Sequence, residues 1–205
     1  MAKLQKGYFI SFEGIEGSGK TTISRLIADM LMMDGYEVLS TYEPGGTLIG
    51  NRIRDILLTT EHKSMSHYAE LLLYNAARAQ HLHEKILPAL KTGKIIISDR
   101  FVDSTVAYQG YGRGIDLSLI LSIDKIVTGG LKPHLTILLD LDVELGLMRN
   151  KGINKIDRLE LEEIEFHRRV REGYHLIAEQ EPERFKVVNA SATIDQVLQA
   201  VSEII

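Results

Sequence analysis

The sequence predicts an α/β fold built on a doubly wound parallel sheet. Three observations predict it: five short β-rich runs, helical spacing between successive runs, and strands that are apolar on both faces. The runs cover residues 8–12, 36–41, 94–98, 135–140 and 185–189. Ile95-Ile96-Ile97 and Thr136-Ile137-Leu138-Leu139 offer no polar face to water, so helices are expected on both sides of the sheet. Between them, residues 66–91 carry Leu71, Leu72, Leu73, Leu82, Ile86, Leu87 and Leu90 with no internal glycine, which predicts one long helix with Pro88 near its end.

The chain of 205 residues is expected to form a single domain over 1–205, with 44% apolar and 25% charged residues in the balance of a globular protein. A net charge of −4 argues against bulk affinity for nucleic acid or anionic membrane, so a small anionic ligand would need local basic residues. The N-terminus lacks the apolar run of a signal peptide and no later stretch is long enough to cross a bilayer, which predicts a cytoplasmic location. With no cysteine, any catalysis must rest on carboxylates, basic groups, backbone amides and a borrowed ion.

Directly after the first strand, Gly14-Ile15-Glu16-Gly17-Ser18-Gly19-Lys20-Thr21 fits G-x-x-x-x-G-K-[ST] in the strand, loop and helix context that the motif requires. The glycines let the loop curl with its amide N–H groups inward, and the next helix adds its positive end, so a polyphosphate finds donors already arranged. Lys20 is the mobile charge for the β- and γ-phosphates, the Thr21 hydroxyl is a magnesium ligand, and Thr22 supports the turn. The same loop serves kinases, GTPases, motors and regulators. A GTPase expects N-K-x-D, and Asn150-Lys151-Gly152-Ile153 fails at its last position. Ser98-Asp99-Arg100 ends the third run at the carboxyl edge of the sheet, where open α/β folds assemble their sites. Asp99 can hold the shell of a magnesium ion, and Arg100 can grip a phosphate with a bidentate fork; the plainer reading is a salt bridge between neighbours.

Three further stretches carry a resemblance: Glu43-Pro44-Gly45-Gly46-Thr47, Asp99-Arg100-Phe101 with Asp103-Ser104, and Ala107-Tyr108-Gln109-Gly110 running into Gly112-Arg113-Gly114. With Phe12-Glu13-Gly14 ahead of the loop, they closely resemble the bacterial thymidylate kinases in collinear order over residues 8–174. The resemblance implies a P-loop nucleoside monophosphate kinase fold, with a parallel five-stranded sheet, helices on both faces and a short lid. It also implies ATP-dependent phosphorylation of dTMP to dTDP, with magnesium, by a homodimer.

By that resemblance, Tyr74 matches the aromatic that stacks on thymine. Arg78, one helical turn on, matches the donor to the thymine carbonyl, and Thr105 and Gln109 match polar groups around the base. Tyr108 matches the tyrosine beneath the sugar, Glu16 the acid that contacts the 3′-hydroxyl, Arg54 and Arg100 the pair on the acceptor phosphate, and Glu43 a residue that orders this region. The basic run at 149–158 falls where the family carries its lid, and this P-loop has no arginine, so catalytic basic residues are expected in the lid. Among Arg149, Lys151, Lys155 and Arg158, Arg149 is the expected transition-state donor, and Arg158 is expected on the adenine side or in lid closure. Tyr42 stands where many bacterial members have arginine. Phosphoryl transfer asks for alignment and charge neutralisation, so no catalytic histidine is required. A kinase for another nucleoside monophosphate and a non-catalytic nucleotide-binding regulator remain as alternatives.

Overall fold

The computed structural model describes residue 4 and residues 6–151 and 157–205. Five strands, β1 (Tyr8–Glu13), β2 (Val38–Tyr42), β3 (Ile95–Asp99), β4 (Leu135–Asp140) and β5 (Phe185–Asn189), form a sheet in the order β2-β3-β1-β4-β5. Every pairing is parallel, with Phe12 opposite Asp99 and Asp99 opposite Tyr42, so the carboxyl ends of the three strands that carry the motifs converge. The central strands β1, β3 and β4 are almost wholly buried, whereas the edge strands β2 and β5 are partly open.

Alternation along the strands divides the core. Phe9 and Ile96 face one side, packed with Leu82, Ile86, Ala89 and Phe101. Ile10, Ile95 and Ile97 face the other, with Ile23 and Ile27 of α1 (Lys20–Met33) and Val197 and Val201 of α9 (Ile194–Ser202). Helices therefore cover both faces, as the two-sided apolar strands require. The remaining helices are α2 (Leu48–Leu58), α3 (His67–His81), α4 (Leu87–Lys91), α5 (Val102–Thr105), α6 (Leu117–Thr128), α7 (Val143–Lys151) and α8 (Ile164–Gln180). Among the described residues no helix is long and apolar enough to cross a membrane.

The long helix expected over 66–91 forms, but not with a regular pitch. Between α3 and α4 the turn Leu82–Ile86 is π-helical, and the Leu87 N–H reaches back five residues to the Leu82 carbonyl. Pro88 lies just beyond it; proline has no N–H to donate and its ring crowds the carbonyl four residues back, which a widened turn accommodates. A second π-helical segment, Val106–Gly112, comes directly after α5. It packs along α8 at a distance only glycine allows: a Cβ at Gly112 would come within 2.7 Å of the Phe166 ring, and one at Gly173 within 2.6 Å of the Tyr111 ring.

Substituting alanine at either glycine sets two effects against each other. Helix propensity gains up to about 1 kcal/mol, while overpacking costs typically about 1–3 kcal/mol. Gly112→Ala and Gly173→Ala are therefore expected to be net destabilising, with lower denaturation midpoints at unchanged slope. Midpoints equal to wild type would show that the two elements do not meet this closely.

Candidate active site

The site is built where β1, β3 and β2 end. The loop after β1 turns through Gly17 at φ 74°, and a Cβ there would stand 2.1 Å from the Gly146 carbonyl of α7, so only glycine lets the loop seat against that helix. Gly19 precedes α1 in the left-handed region, and the N–H groups of Thr22 and Ile23 both return to its carbonyl. Lys20 is buried, and its amine donates to the Ile15 carbonyl at 2.7 Å and to Ser18 Oγ at 3.3 Å. Burial, and then the neighbouring Arg100 guanidinium, push its pKa down to about 8.

Beside it, the Thr21 hydroxyl donates to Asp99 Oδ2 at 2.5 Å. A hydroxyl and a carboxylate held together next to a phosphate cradle are hard oxygen donors of the kind magnesium takes from protein, the rest of its shell coming from phosphates and water. Thr21 and Asp99 therefore fit the ion expected there.

Arg100 leaves β3 in the left-handed region, φ 75°, the one non-glycine residue with positive φ among the described residues. That conformation costs on the order of 1–3 kcal/mol. The backbone there is pinned: the Arg100 N–H donates to Phe12 O at 3.0 Å, and Ser98 Oγ donates to the Arg100 carbonyl at 2.7 Å. The turned residue aims its guanidinium across the loop. Nη1 donates to Gly14 O, Ser104 Oγ and the Tyr174 hydroxyl at 3.0–3.1 Å, and Nη2 donates to Glu16 Oε1 and the Tyr108 hydroxyl, both at 3.0 Å. The plain Asp99–Arg100 salt bridge does not form, since Arg100 pairs with Glu16 instead.

A cavity of about 720 Å³, a size that suits a small-molecule site, lies among these groups. Glu16, Gly17, Lys20, Thr21, Asp99 and Arg100 line it together with Glu43, Arg54, Tyr74, Arg78, Thr105, Tyr108 and Gln109. Gly14, Ile15, Ser18, Gly19 and Thr22 form the rest of the loop. Glu43 orders its region directly. It accepts from Arg78 Nε at 2.8 Å and from His81 Nδ1 at 2.9 Å, and so ties the end of β2 to α3. Arg78 also donates to Asp124 Oδ1 and to the Phe101 carbonyl, which fixes its orientation and leaves two of its five N–H groups unspent on these partners. Arg54 donates to Pro44 O at 2.8 Å and lies 5.4 Å over the ring of Tyr42, so the tyrosine found in place of the family's arginine supports Arg54 by cation–π contact. Gln109 donates Nε2 to Glu70 at 2.9 Å, which makes its amide oxygen the group it can offer a ligand. Thr105 Oγ1 is buried in the cavity wall with no hydrogen-bond partner among the described residues.

Two basic residues of the expected lid have partners within the protein. Arg149 is not on the cavity wall. Its guanidinium donates to the carbonyls of Ala190 at 3.0 Å and Ser191 at 3.4 Å, because α7 carries it past the end of β5, where backbone acceptors await a donor. Arg158 is buried, donates to Leu57 O at 3.0 Å and pairs with Glu70 at 2.5 Å. Glu70 sits within α3 with Arg113, Arg158 and Gln109 around it. Burial alone would raise its pKa, but these partners hold it below the usual carboxylate range. Arg158 thus ties the end of the basic run to α3 and to the end of α2. Lys155 and the side chain of Lys151 lie outside the described residues.

Glu13, Ser104 and Tyr174 have roles that no spacing in the sequence assigns. Glu13 closes β1 fully buried and accepts from the Phe101 N–H at 2.8 Å, Ser104 Oγ at 2.6 Å and the Tyr174 hydroxyl at 3.0 Å. A lone carboxylate ending an otherwise apolar strand was the available signal. Its pKa is raised from the ordinary 4.5 to about 7, first by burial and then by Asp103, against the opposing pull of Ser104, Arg100 and the Phe101 N–H.

A mononucleotide-sized cavity that joins a P-loop to an arginine-rich pocket defines a phosphotransferase of the P-loop kinase class. The thymidylate kinase family model matches residues 12–201. The chain is 49% identical over 196 residues to a thymidylate kinase of Syntrophotalea carbinolica, covering 93% of this chain and 91% of that one. It is 45% identical over 200 residues to a thymidylate kinase of Clostridium novyi, covering 97% and 98%. The crystal structure of a thymidylate kinase from Ehrlichia chaffeensis superposes with a TM-score of 0.80 at 37% identity, over 97% of this chain and 98% of that one. The chain belongs to the thymidylate kinase family, and is by that membership a nucleoside monophosphate kinase.

A carboxyl whose native pKa lies above its unfolded value stabilises the fold fully below the unfolded value, and that contribution is lost as pH rises through the native one. The melting temperature is therefore expected to carry a component that declines between about pH 4.5 and 7, and Glu13→Gln is expected to lack it. Thermal scans stepped across that window check this, and parallel profiles for the two proteins would count against it.

Proposed function

We propose that this chain transfers the γ-phosphoryl group of ATP to dTMP, giving dTDP and ADP. The observation that carries the reading is that the P-loop residues Glu16, Gly17, Lys20 and Thr21 line the same cavity as Tyr74, Arg78, Thr105 and Gln109, whose chemistry suits a base. Thymine presents a carbonyl acceptor at position 4 and an N–H donor at position 3. The spare N–H groups of Arg78 suit the acceptor, and the oxygens of Thr105 and Gln109 suit the donor. Cytosine reverses both, and would leave buried polar groups facing like with like, a mismatch that sites of this kind reject strongly. Tyr74 stacks on the base, and Tyr108 lies beneath the sugar, where a ribose 2′-hydroxyl would collide.

Arg54 and Arg100 grip the acceptor phosphate, Glu16 meets the 3′-hydroxyl, and the P-loop from Gly14 to Thr22 cradles the donor with Lys20 on its β- and γ-phosphates. An oxygen of the dTMP phosphate bonds to the γ-phosphorus as the bond to the β–γ bridging oxygen breaks, and ADP leaves with that electron pair. Magnesium held by Thr21 and Asp99 neutralises charge on the transferring group when bound. Lys20 and Arg100 supply fixed positive charge from described residues, and Arg149 is the further donor expected from the lid. The chain acts as a single domain in which the lid, at about 149–158, excludes water. A second copy would cover Tyr68 and Leu72 of α3 and Leu121 and Ile126 of α6, exposed apolar side chains on helices that pack together, which supports a homodimer. The negative charge and the lack of a membrane-spanning helix among the described residues support a cytoplasmic enzyme that binds neither nucleic acid nor membrane.

An ADP-release assay with ATP and magnesium tests the acceptor, offering dTMP, dUMP, the ribose form of TMP, dCMP, dGMP and AMP. Turnover is expected with dTMP, with the ribose form and dCMP poor, and better turnover of dCMP would overturn the base assignment. Lys20→Ala is expected to lower kcat at least a hundredfold while keeping its melting transition. Near-normal turnover by that variant would overturn the mechanism.

A further inference from the structure

Glu16 is half committed. Its Oε1 accepts from Arg100 Nη2 at 3.0 Å and from the Tyr108 hydroxyl at 2.7 Å. Its Oε2 is buried and accepts no hydrogen bond among the described residues. Opposite it stands His167, carried on α8 and only 1% exposed, with Nδ1 3.5 Å from that oxygen. Neither ring nitrogen of His167 has a hydrogen-bond partner among the described residues. Three buried polar atoms without partners in one place are unusual, since protein interiors satisfy nearly all such groups. The separation permits charge attraction but is too long for a good hydrogen bond.

The imidazole is not free to turn away. Phe166 packs edge-on against it with ring centres 5.4 Å apart, and Phe166 is itself fixed by the Arg113 guanidinium at 4.6 Å and by the contact with Gly112. Burial alone would raise the Glu16 pKa, yet His167, then Arg100, Lys20 and Tyr108, hold it well below the usual carboxylate range. The carboxylate therefore stays ionised, with Oε1 bonded by Arg100 and Tyr108 and the buried Oε2 turned to His167.

We propose that His167 is a positioning residue for the acceptor sugar: from behind, it fixes the second oxygen of Glu16 and so orients the carboxylate toward the 3′-hydroxyl, which sets a preference for acceptors that carry one. This rests on the dTMP reading, in which Glu16 meets the 3′-hydroxyl. His167 lies behind Glu16 and off the cavity wall, so it acts through the carboxylate. A sugar lacking the 3′-hydroxyl has nothing to donate, and gains nothing from the arrangement.

The test compares dTMP with 3′-deoxythymidine monophosphate, measuring kcat and KM for wild type, His167→Leu and His167→Gln, with melting temperatures recorded for each. Wild type is expected to prefer dTMP. His167→Leu is expected to raise KM for dTMP about tenfold, with kcat and the constants for the 3′-deoxy acceptor within about twofold. His167→Gln, which keeps a donor within reach of Glu16, is expected to recover most of the loss. Equal losses with both acceptors, no change with either, or a glutamine variant as impaired as the leucine one would overturn the proposal. If His167→Leu does not fold, His167→Ala replaces it with the same outcomes. A wild type that turns over some other nucleotide better than dTMP would overturn the acceptor reading itself, and that result is visible before any variant is made.

Discussion

Arg100 stands in a conformation that its own backbone disfavours, and the strain is held because its guanidinium joins parts of the chain that otherwise have no reason to meet. One nitrogen bonds the start of the P-loop at Gly14, Ser104 after β3 and Tyr174 on α8; the other bonds Glu16 in the loop and Tyr108 in the π-helical segment. Beneath it, Glu13 receives Ser104 and Tyr174 from the opposite side, so the arginine rests on a buried carboxylate it does not touch. In a low-dielectric interior such a network is strong when complete and costly when broken. Both of its Nη groups already have partners within the protein. A phosphate bound at Arg100, as proposed, would exchange for some of these partners, and the gain would lie in the charge and fit of the newcomer.

What the sequence disclosed and what it hid divide along one physical line. Features set by local spacing were legible. The strand, loop and helix context located the P-loop, two-sided apolar runs gave a parallel sheet covered on both faces, and Tyr74 and Arg78, four residues apart on a helix, reached the same cavity. Strand limits were off by a residue or two, as at β3, which runs to Asp99 because Asp99 still pairs with Phe12 and Tyr42. Features set by partners far along the chain were not legible. Arg149 and Arg158 look alike in a basic run, yet one is drawn to carbonyls after β5 and the other to Glu70, 88 residues earlier in the sequence. Nor does periodicity reveal a widened turn, because one extra residue in a helix looks in sequence like a slightly ragged apolar stripe.

The widened turn at Val106–Gly112 has a consequence for how this enzyme can change. A regular helix advances by about 100° per residue. The extra residue in the π-helical turn lets Thr105, Tyr108 and Gln109 border the cavity while Gly112, beyond them, meets Phe166. Removing one residue from the middle of the stretch would relax it to ordinary pitch and swing the residues beyond the deletion by that angle, carrying Gly112 off Phe166. Point substitutions alter one contact at a time, whereas a change of length here would disengage this wall of the cavity from α8 in a single step. The number of residues in this stretch thus acts as a spacing gauge between the cavity and α8, and it is a constraint that no single side chain carries.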